Sequence, residues 1–424
     1  MVIELDAPVA AVASRPPRRS VPAGVTLILL ALLTAAAPLP RAAGPVVVPA
    51  RPGDTMVVDG DRLHVIEGVP AQAATELHER VVRTYALPRG RLLARTTVVV
   101  TASVFGIVAA GGLLLVSYQA DTLGSDATVA VALGTRRTRW QVPARVLAVS
   151  ADVALVREYR SFAGGRLWSG IELATGRRVW AVRQPVTGNI GTGALVDGFP
   201  SRLVTATARG ELTVRDTTTG AVLAATTVAA PASWSRRGLT VWPVGDLVLV
   251  GGLGGLTAYG LSDLAPRWSS PADLNGRRVP PDCAGQLCLV GYQGGIQVLD
   301  PATGAARWSS GGSSVGPAGT SLLVGDAAGL RAADPRTGVS RAVFPGWQQA
   351  GDPRPDGRVV AVHQPVGSDS ARYALLDPDS GAIRLLGTAD RVSGDCHAGA
   401  GALVCRRLDG SVGSWPLTEL LSGL

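Results

Sequence analysis

A five-residue turn recurs along this chain, most plainly as Asp300-Pro301-Ala302-Thr303-Gly304, Asp334-Pro335-Arg336-Thr337-Gly338 and Asp377-Pro378-Asp379-Ser380-Gly381. The aspartate can accept a backbone N–H, proline fixes φ near −65°, and glycine takes the positive-φ position that other residues resist. Around the clearest copy, an alternating strand from Gly295 leads into the turn and a short strand ending at Trp308 leads out, which reads as a hairpin. Weaker copies fall on the same frame at Gly90, Arg136, Gly176, Gly220 and Leu264. The eight anchors are spaced 34 to 46 residues apart, and upstream of them lies a second apolar strand, as in Leu247–Gly251, Leu287–Gly291 and Leu322–Gly325. Four short strands per period of this length predict an all-β, eight-bladed β-propeller of four-stranded antiparallel blades, with seven or nine blades as alternatives. Val46-Val47-Val48 is expected to supply an outer strand that closes the ring with the C-terminal segment, so that no edge is left open.

Trp140, Trp180, Trp268 and Trp308 occupy one repeat position, where the other copies carry Ala94, Ala224, Ala342 and Leu385. A ring at one strand position per blade predicts blade-to-blade packing in preference to an aromatic cage. Gly251–Gly255 has the glycine density of a phosphate loop but leads into the strand Leu256–Tyr259, so a hairpin is expected. Asp377 and Asp379 lack the remaining oxygens and the closing glutamate of a calcium loop, which leaves turn chemistry.

At 424 residues the length alone would predict about three domains, but copies of one unit account for it. Charged residues are only 17% and hydrophobic residues 46%, which excludes coiled coils and disordered chains. The formal net charge is +8, yet all 40 basic residues are arginine and they are scattered, with no basic run interleaved with stacking aromatics. Nucleic acid is therefore not an expected partner.

Residues 1–20 read as a short cytoplasmic tail and 21–40 as a transmembrane signal anchor. Val21–Pro40 is uncharged over a length matching the hydrocarbon core, and Arg15, Arg18 and Arg19 precede it, which keeps that end inside. A cleaved signal peptide, cut after the small residues Ala35-Ala36-Ala37 or Arg41-Ala42-Ala43, is the alternative, leading to secretion. Residues 41–52 read as a linker and 53–424 as the propeller, placed outside the cytoplasm. A second uncharged stretch, Thr96–Ala120, is broken by Ala109-Ala110-Gly111-Gly112 and reads as strands. Cys283/Cys288 and Cys396/Cys405 form two local pairs in a chain expected to be exported, which predicts disulfides. A metal site with His397 is the competing reading, weakened by the missing CxxC spacing.

The unit Leu299-Asp300-Pro301-Ala302-Thr303-Gly304 followed by Trp308 resembles the repeat of the pyrroloquinoline-quinone-like (PQQ-like) propeller superfamily, over about residues 53 to 417. With its arginine-bearing tail and single apolar segment the chain is similar to the membrane-anchored members found in actinobacteria, and more distantly to the scaffold lipoprotein of the outer-membrane barrel-assembly machine. No cysteine precedes Cys283 to carry a lipid, so that lipoprotein's role does not transfer. The resemblance also implies an enzyme alternative, the PQQ-dependent quinoprotein dehydrogenases, which use a vicinal disulfide and a calcium site of Glu, Asn and Asp. Here no two cysteines are adjacent, and Asn189 and Asn275 alone could supply the amide. His64, His78, His363 and His397 stand apart, and no Gly-x-Ser-x-Gly elbow precedes a helix. No catalytic, cofactor-binding or metal-binding residue is thus assigned. The expected function is a non-catalytic binding or scaffold module of the cell envelope, holding a protein or glycan on its loops or channel face. An accessory or sensor subunit of an envelope complex is the second expectation.

Overall fold

The structure, a computed structural model, describes residues 44–417 apart from 71–75, 122–123, 134, 160–164, 186, 194, 197, 231–238, 253 and 400. Among these residues the repeat folds into nine four-stranded antiparallel sheets. Eight of them follow the chain: blades 1 to 8 span 55–100, 104–142, 145–183, 188–227, 240–270, 277–310, 314–345 and 348–390. Strands are lettered A to D in chain order within each blade. Blade 4 carries an extra two-stranded hairpin, Leu195–Val196 with Phe199–Pro200, inserted between its strands A and B.

The ninth sheet takes strands A to C from Val392–Gly399, Ala402–Arg407 and Val412–Pro416, and its outer strand from Val46–Val48. Val46, Val47 and Val48 pair with Ser414, Gly413 and Val412. Nine blades, not eight, is therefore the correction to the count read from the turns. Every anchor counted in the sequence is a C–D turn, and the closing blade has none, because its strands C and D come from opposite ends of the chain.

Strands B are largely buried on both faces, as in Leu247–Gly252 and Leu287–Gly291, because each sheet is sandwiched between its neighbours. That is why they read as unbroken apolar runs. Strands D, such as Arg178–Arg183, alternate between exposed and covered residues because they form the outer rim. The core is accordingly not one mass but a ring of nine apolar clusters among the described residues, one at each junction of consecutive blades. Val204, Leu212 and Val214 of blade 4 meet Val241, Val248 and Val250 of blade 5. The last cluster joins Val48, Val404 and Val412 of the closing blade to Leu63, Val65 and Tyr85 of blade 1. Each fully buried Val or Leu contributes roughly 1.5–3 kcal/mol, so the closed ring distributes its stability around the circumference.

Thr96–Ala120 is strand throughout its regular parts, in Arg91–Val100, Val104–Ala110 and Leu113–Gln119. No helix among the described residues is long and apolar enough to cross a membrane. The expected anchor at 21–40 lies outside the described residues.

Candidate functional site

One face of the ring is made of A–B and C–D turns, the other of B–C loops and the D–A connections between blades. On the first face the turn aspartates are occupied locally. Asp300 Oδ1 accepts from Ala302 N at 2.8 Å and Oδ2 pairs with Arg307 at 2.6 Å. Asp334 accepts from Thr337 N at 2.9 Å and pairs with Arg341. These bonds, with the Arg341 guanidinium second to the Thr337 amide, hold its carboxyl down at about 2. Asp377 accepts from Asp379 N and Ser380 N. Gly304, Gly338 and Gly381 sit at φ of 70°, 71° and 75°. Two turns without glycine hold Arg136 and Leu264 in the same left-handed region, at 57° and 55°.

The four tryptophans of the repeat position lie against the C–D turn of the following blade. Trp140 Nε1 donates to Leu173 O at 2.8 Å, Trp180 to Thr218 O at 3.1 Å, Trp268 to Pro301 O at 2.8 Å and Trp308 to Pro335 O at 2.9 Å. The turn glycines admit the rings: a Cβ on Gly338 would stand 2.7 Å from the Trp308 ring. Between blades 7 and 8 the position is Ala342, and Asp379 instead accepts from Thr320 Oγ1 at 2.8 Å and Ser321 Oγ at 2.9 Å. Asp379 is thus bound to a neighbouring blade's turn. Cys283 and Cys288 link the A–B loop of blade 6 to its strand B, with Cα atoms 6.0 Å apart, and Cys396 and Cys405 are cross-strand partners 4.1 Å apart. A cavity of about 560 Å³ opens here between blades 5 and 6, walled by Trp268, Asp246, Cys283 and Gln286.

The opposite face carries the candidate site, a polar groove across blades 7, 8 and the closing blade. Its larger part, about 400 Å³, is lined by Gln348, Gln349, Gln364, Ser368, Ser393 and Asp395. A smaller part, about 210 Å³, shares Gln348 and Gln349 and adds Ser313, Ser314 and Asp326. Strand A of blade 8, Gln348–Gln349, is exposed along its length, while Trp347 just before it is buried and packs near His363, with ring centroids 5.6 Å apart. Gln364 Nε2 donates to Ser368 O at 2.7 Å and shapes the B–C loop. Strand A of the closing blade shifts register twice, between Val392 and Gly394 and again between Gly394 and Cys396. Asp395 there holds φ of 51°, a conformation that costs a non-glycine residue about 1 kcal/mol. Bulges of this kind re-aim side chains, and here Asp395 Oδ1 meets His397 Nε2 at 3.1 Å. The amides both donate and accept, so the groove suits a neutral, hydrogen-bonding partner.

Sequence reading did not single out these groove residues. The one local signal was Gln348-Gln349 directly after a tryptophan, in a strand whose counterparts in blades 2, 3 and 5 are largely apolar. Asn189 and Asn275 fall in blade 4 and just before blade 6, where Asn189 Oδ1 accepts from Ile190 N and Asn275 N donates to Asp273. Among the described residues no three His, Cys, Asp or Glu side chains gather as metal ligands.

The nine closed sheets define the chain as a β-propeller. No family model and no curated protein matches it. Similar solved structures include BamB from Moraxella catarrhalis, 14% identical over 88% of this chain and 99% of that one, with a TM-score of 0.42. The computationally designed Ika8 protein is 13% identical over 74% and 96%, with a TM-score of 0.44. The C-terminal WD40 domain of Sif2 is 9% identical over 72% and 92%, with a TM-score of 0.40. Likeness at this level carries nothing about what the chain binds.

Proposed function

We propose that the chain is a non-catalytic binding or scaffold module of the cell envelope that holds its partner in the polar groove of blades 7, 8 and the closing blade. The observation that carries the reading is the contrast between the faces. On the first face the turn carboxylates are occupied within their own turns, Asp379 bonds to the neighbouring blade, and the strand-D indoles bond to the next blade's turn, whereas Gln348, Gln349 and Asp395 line an open groove. A row of amides beside serine hydroxyls matches a peptide backbone or glycan hydroxyls, and it offers no nucleophile paired with a base. Export with a cytoplasmic N-terminus, through the apolar segment Val21–Pro40, belongs to the same proposal.

The test is site-specific photocrosslinking in membranes, with a benzophenone side chain placed at Gln349 or, on the opposite face, at Arg336. A discrete adduct from position 349 and none from 336 is expected. An adduct from 336 alone would move the binding face. Stoichiometric uptake of added PQQ and calcium with dye reduction would replace the reading with the quinoprotein alternative.

A further inference from the structure

Blade 3 carries, on the same loop face but away from the groove, three arginines brought together without an ion pair among the described residues. Its strands A, B and C are Arg145–Val149, Val153–Tyr159 and Arg166–Glu172. In register, Arg145 is opposite Arg157, Arg157 is opposite Trp168, and Tyr159 is opposite Arg166. Cross-strand partners share a sheet face, and like charges directly opposite one another oppose pairing. The ion pairs of this blade are Arg177 with Glu172 and Arg178 with Glu158, so none of the three arginines has a carboxylate partner among the described residues.

Each guanidinium lies over a ring instead. Arg145 Cζ is 4.7 Å from the centroid of Phe105 in blade 2, Arg157 is 5.9 Å from Trp168, and Arg166 is 5.8 Å from Tyr159. Burial lowers the pKa of Arg157, and Arg166 and Arg145 push it the same way, with Asp126 of blade 2 opposing. Burial in turn raises the carboxyl of Asp126 against the pull of Arg145 and Arg157. One carboxylate therefore faces two of the three cations. A ring covers the face of a guanidinium and leaves its N–H edge free, the edge that forks onto a carboxylate.

We propose that this array docks an acidic segment of a protein partner, its carboxylates taken by Arg145, Arg157 and Arg166. The proposal rests on the binding-module reading and adds the partner's chemistry. Two observations favour a peptide. The rings are already covered by guanidinium groups, so they are not free to stack on bases or sugars. Arginine beside tyrosine and tryptophan is also the composition of protein-binding hot spots.

Fluorescence anisotropy of a labelled oligoglutamate peptide, titrated with the full chain, tests it. Saturable binding that weakens as salt rises is expected. Combined Arg145→Gln and Arg166→Gln should weaken it about ten-fold or more, and Asp126→Asn should tighten it. Arg145→Lys with Arg166→Lys keeps the charge but loses the fork, and should restore only part of the affinity. Unchanged peptide binding by the glutamine pair overturns the proposal. So does tighter binding of heparin, oligothymidylate or phosphatidylglycerol vesicles than of oligoglutamate, if the same pair abolishes it; the surface would then serve a glycan, a nucleic acid or a membrane. Circular dichroism checks the fold, and should the pair not fold, the exposed Arg166→Gln alone is held to the same criterion. If the peptide result fails while the crosslink from position 349 persists, this inference falls and the binding-module reading stands.

Discussion

Between blades 6 and 7 the indole of Trp308 lies on the turn Asp334–Gly338, while between blades 7 and 8 the equivalent position is Ala342 and the contact is polar. There Asp379 accepts from Thr320 and Ser321, and Arg341 bridges from Thr320 Oγ1 back to Asp334. Each junction has its own apolar cluster, and on the turn face the first adds an indole with its hydrogen bond where the second adds a chain of charge-assisted bonds. The ring geometry asks only that the turn be held; a large apolar side chain or a carboxylate can do it. The two solutions respond differently to substitution and to pH.

The largest expected effect is at the apolar junction. Trp308→Ala should destabilise the fold by roughly 3 kcal/mol, measured as a shift in the chemical denaturation midpoint. Gly338 and Gly381 share the same φ, but a Cβ on Gly381 meets only the Ala342 methyl at 3.3 Å, against 2.7 Å to the Trp308 ring for Gly338. Gly381→Ala should therefore cost about 1 kcal/mol for backbone strain alone, and Gly338→Ala about 1 kcal/mol more. In the Trp308→Ala background the two alanines should cost the same. Equal costs with the indole present would remove the ring contact from the account.

A third junction, between blades 1 and 2, buries an imidazole. His64 alternates with Leu63 and Val65, which face the closing blade, so it shares its face with Ile66, in the cluster toward blade 2. Nδ1 lies 3.0 Å from Thr84 Oγ1, and burial pushes its pKa down to about 4, with Asp59 opposing and Arg62 assisting. The unfolded chain takes up a proton near 6.5 while the folded one resists until about 4. Stability from this group is thus complete above pH 6.5 and is lost as pH falls toward 4, by up to about 3 kcal/mol. Thermal melts from pH 7 to 4.5 should fall more steeply for wild type than for His64→Gln; parallel curves would show that the imidazole titrates normally.

The smallest effect belongs to the polar junction. Burial alone would raise the Asp379 carboxyl, but bonds from Thr320 and Ser321 outweigh it and hold the group below its ordinary value. A depressed carboxyl stabilises above the ordinary value of 3.8 and ceases to as pH falls through the lowered one. Because the side chain is exposed, Asp379→Asn should cost only about 0.5 kcal/mol at neutral pH and nothing in strong acid. A loss as large as that of Trp308→Ala would make the two junctions equivalent after all.

Much of the ring could be read in advance because its turns are local. Asp-Pro-x-Thr-Gly dictates its own backbone, and even Arg136 and Leu264, aligned there without a glycine, adopt the left-handed conformation. The pairing of Val46–Val48 with the C-terminal segment was expected and is found, but the blade count fell one short because it rested on C–D turns and the closing blade has none. The groove was illegible because it is not local. Gln349 and Asp395 belong to different strands and Gln364 to a loop, and Asp395 depends on two register shifts that no motif announces. The arginine array likewise scatters over positions 126 to 166 and becomes a cluster only through strand register.

The strand Val46–Val48 has a consequence for the order of synthesis. Blades 1 to 8 are each continuous segments, and they can pair as they leave the ribosome. The last sheet cannot: its outer strand is made near the beginning and waits for partners made near the end, with Arg406 reaching Asp54 O across 352 residues. Until then blade 1 presents the uncovered side of Leu63, Val65 and Tyr85. Completion of this propeller waits for Val412–Pro416, and the interval before it is when an unclosed ring is open to pairing with a neighbour.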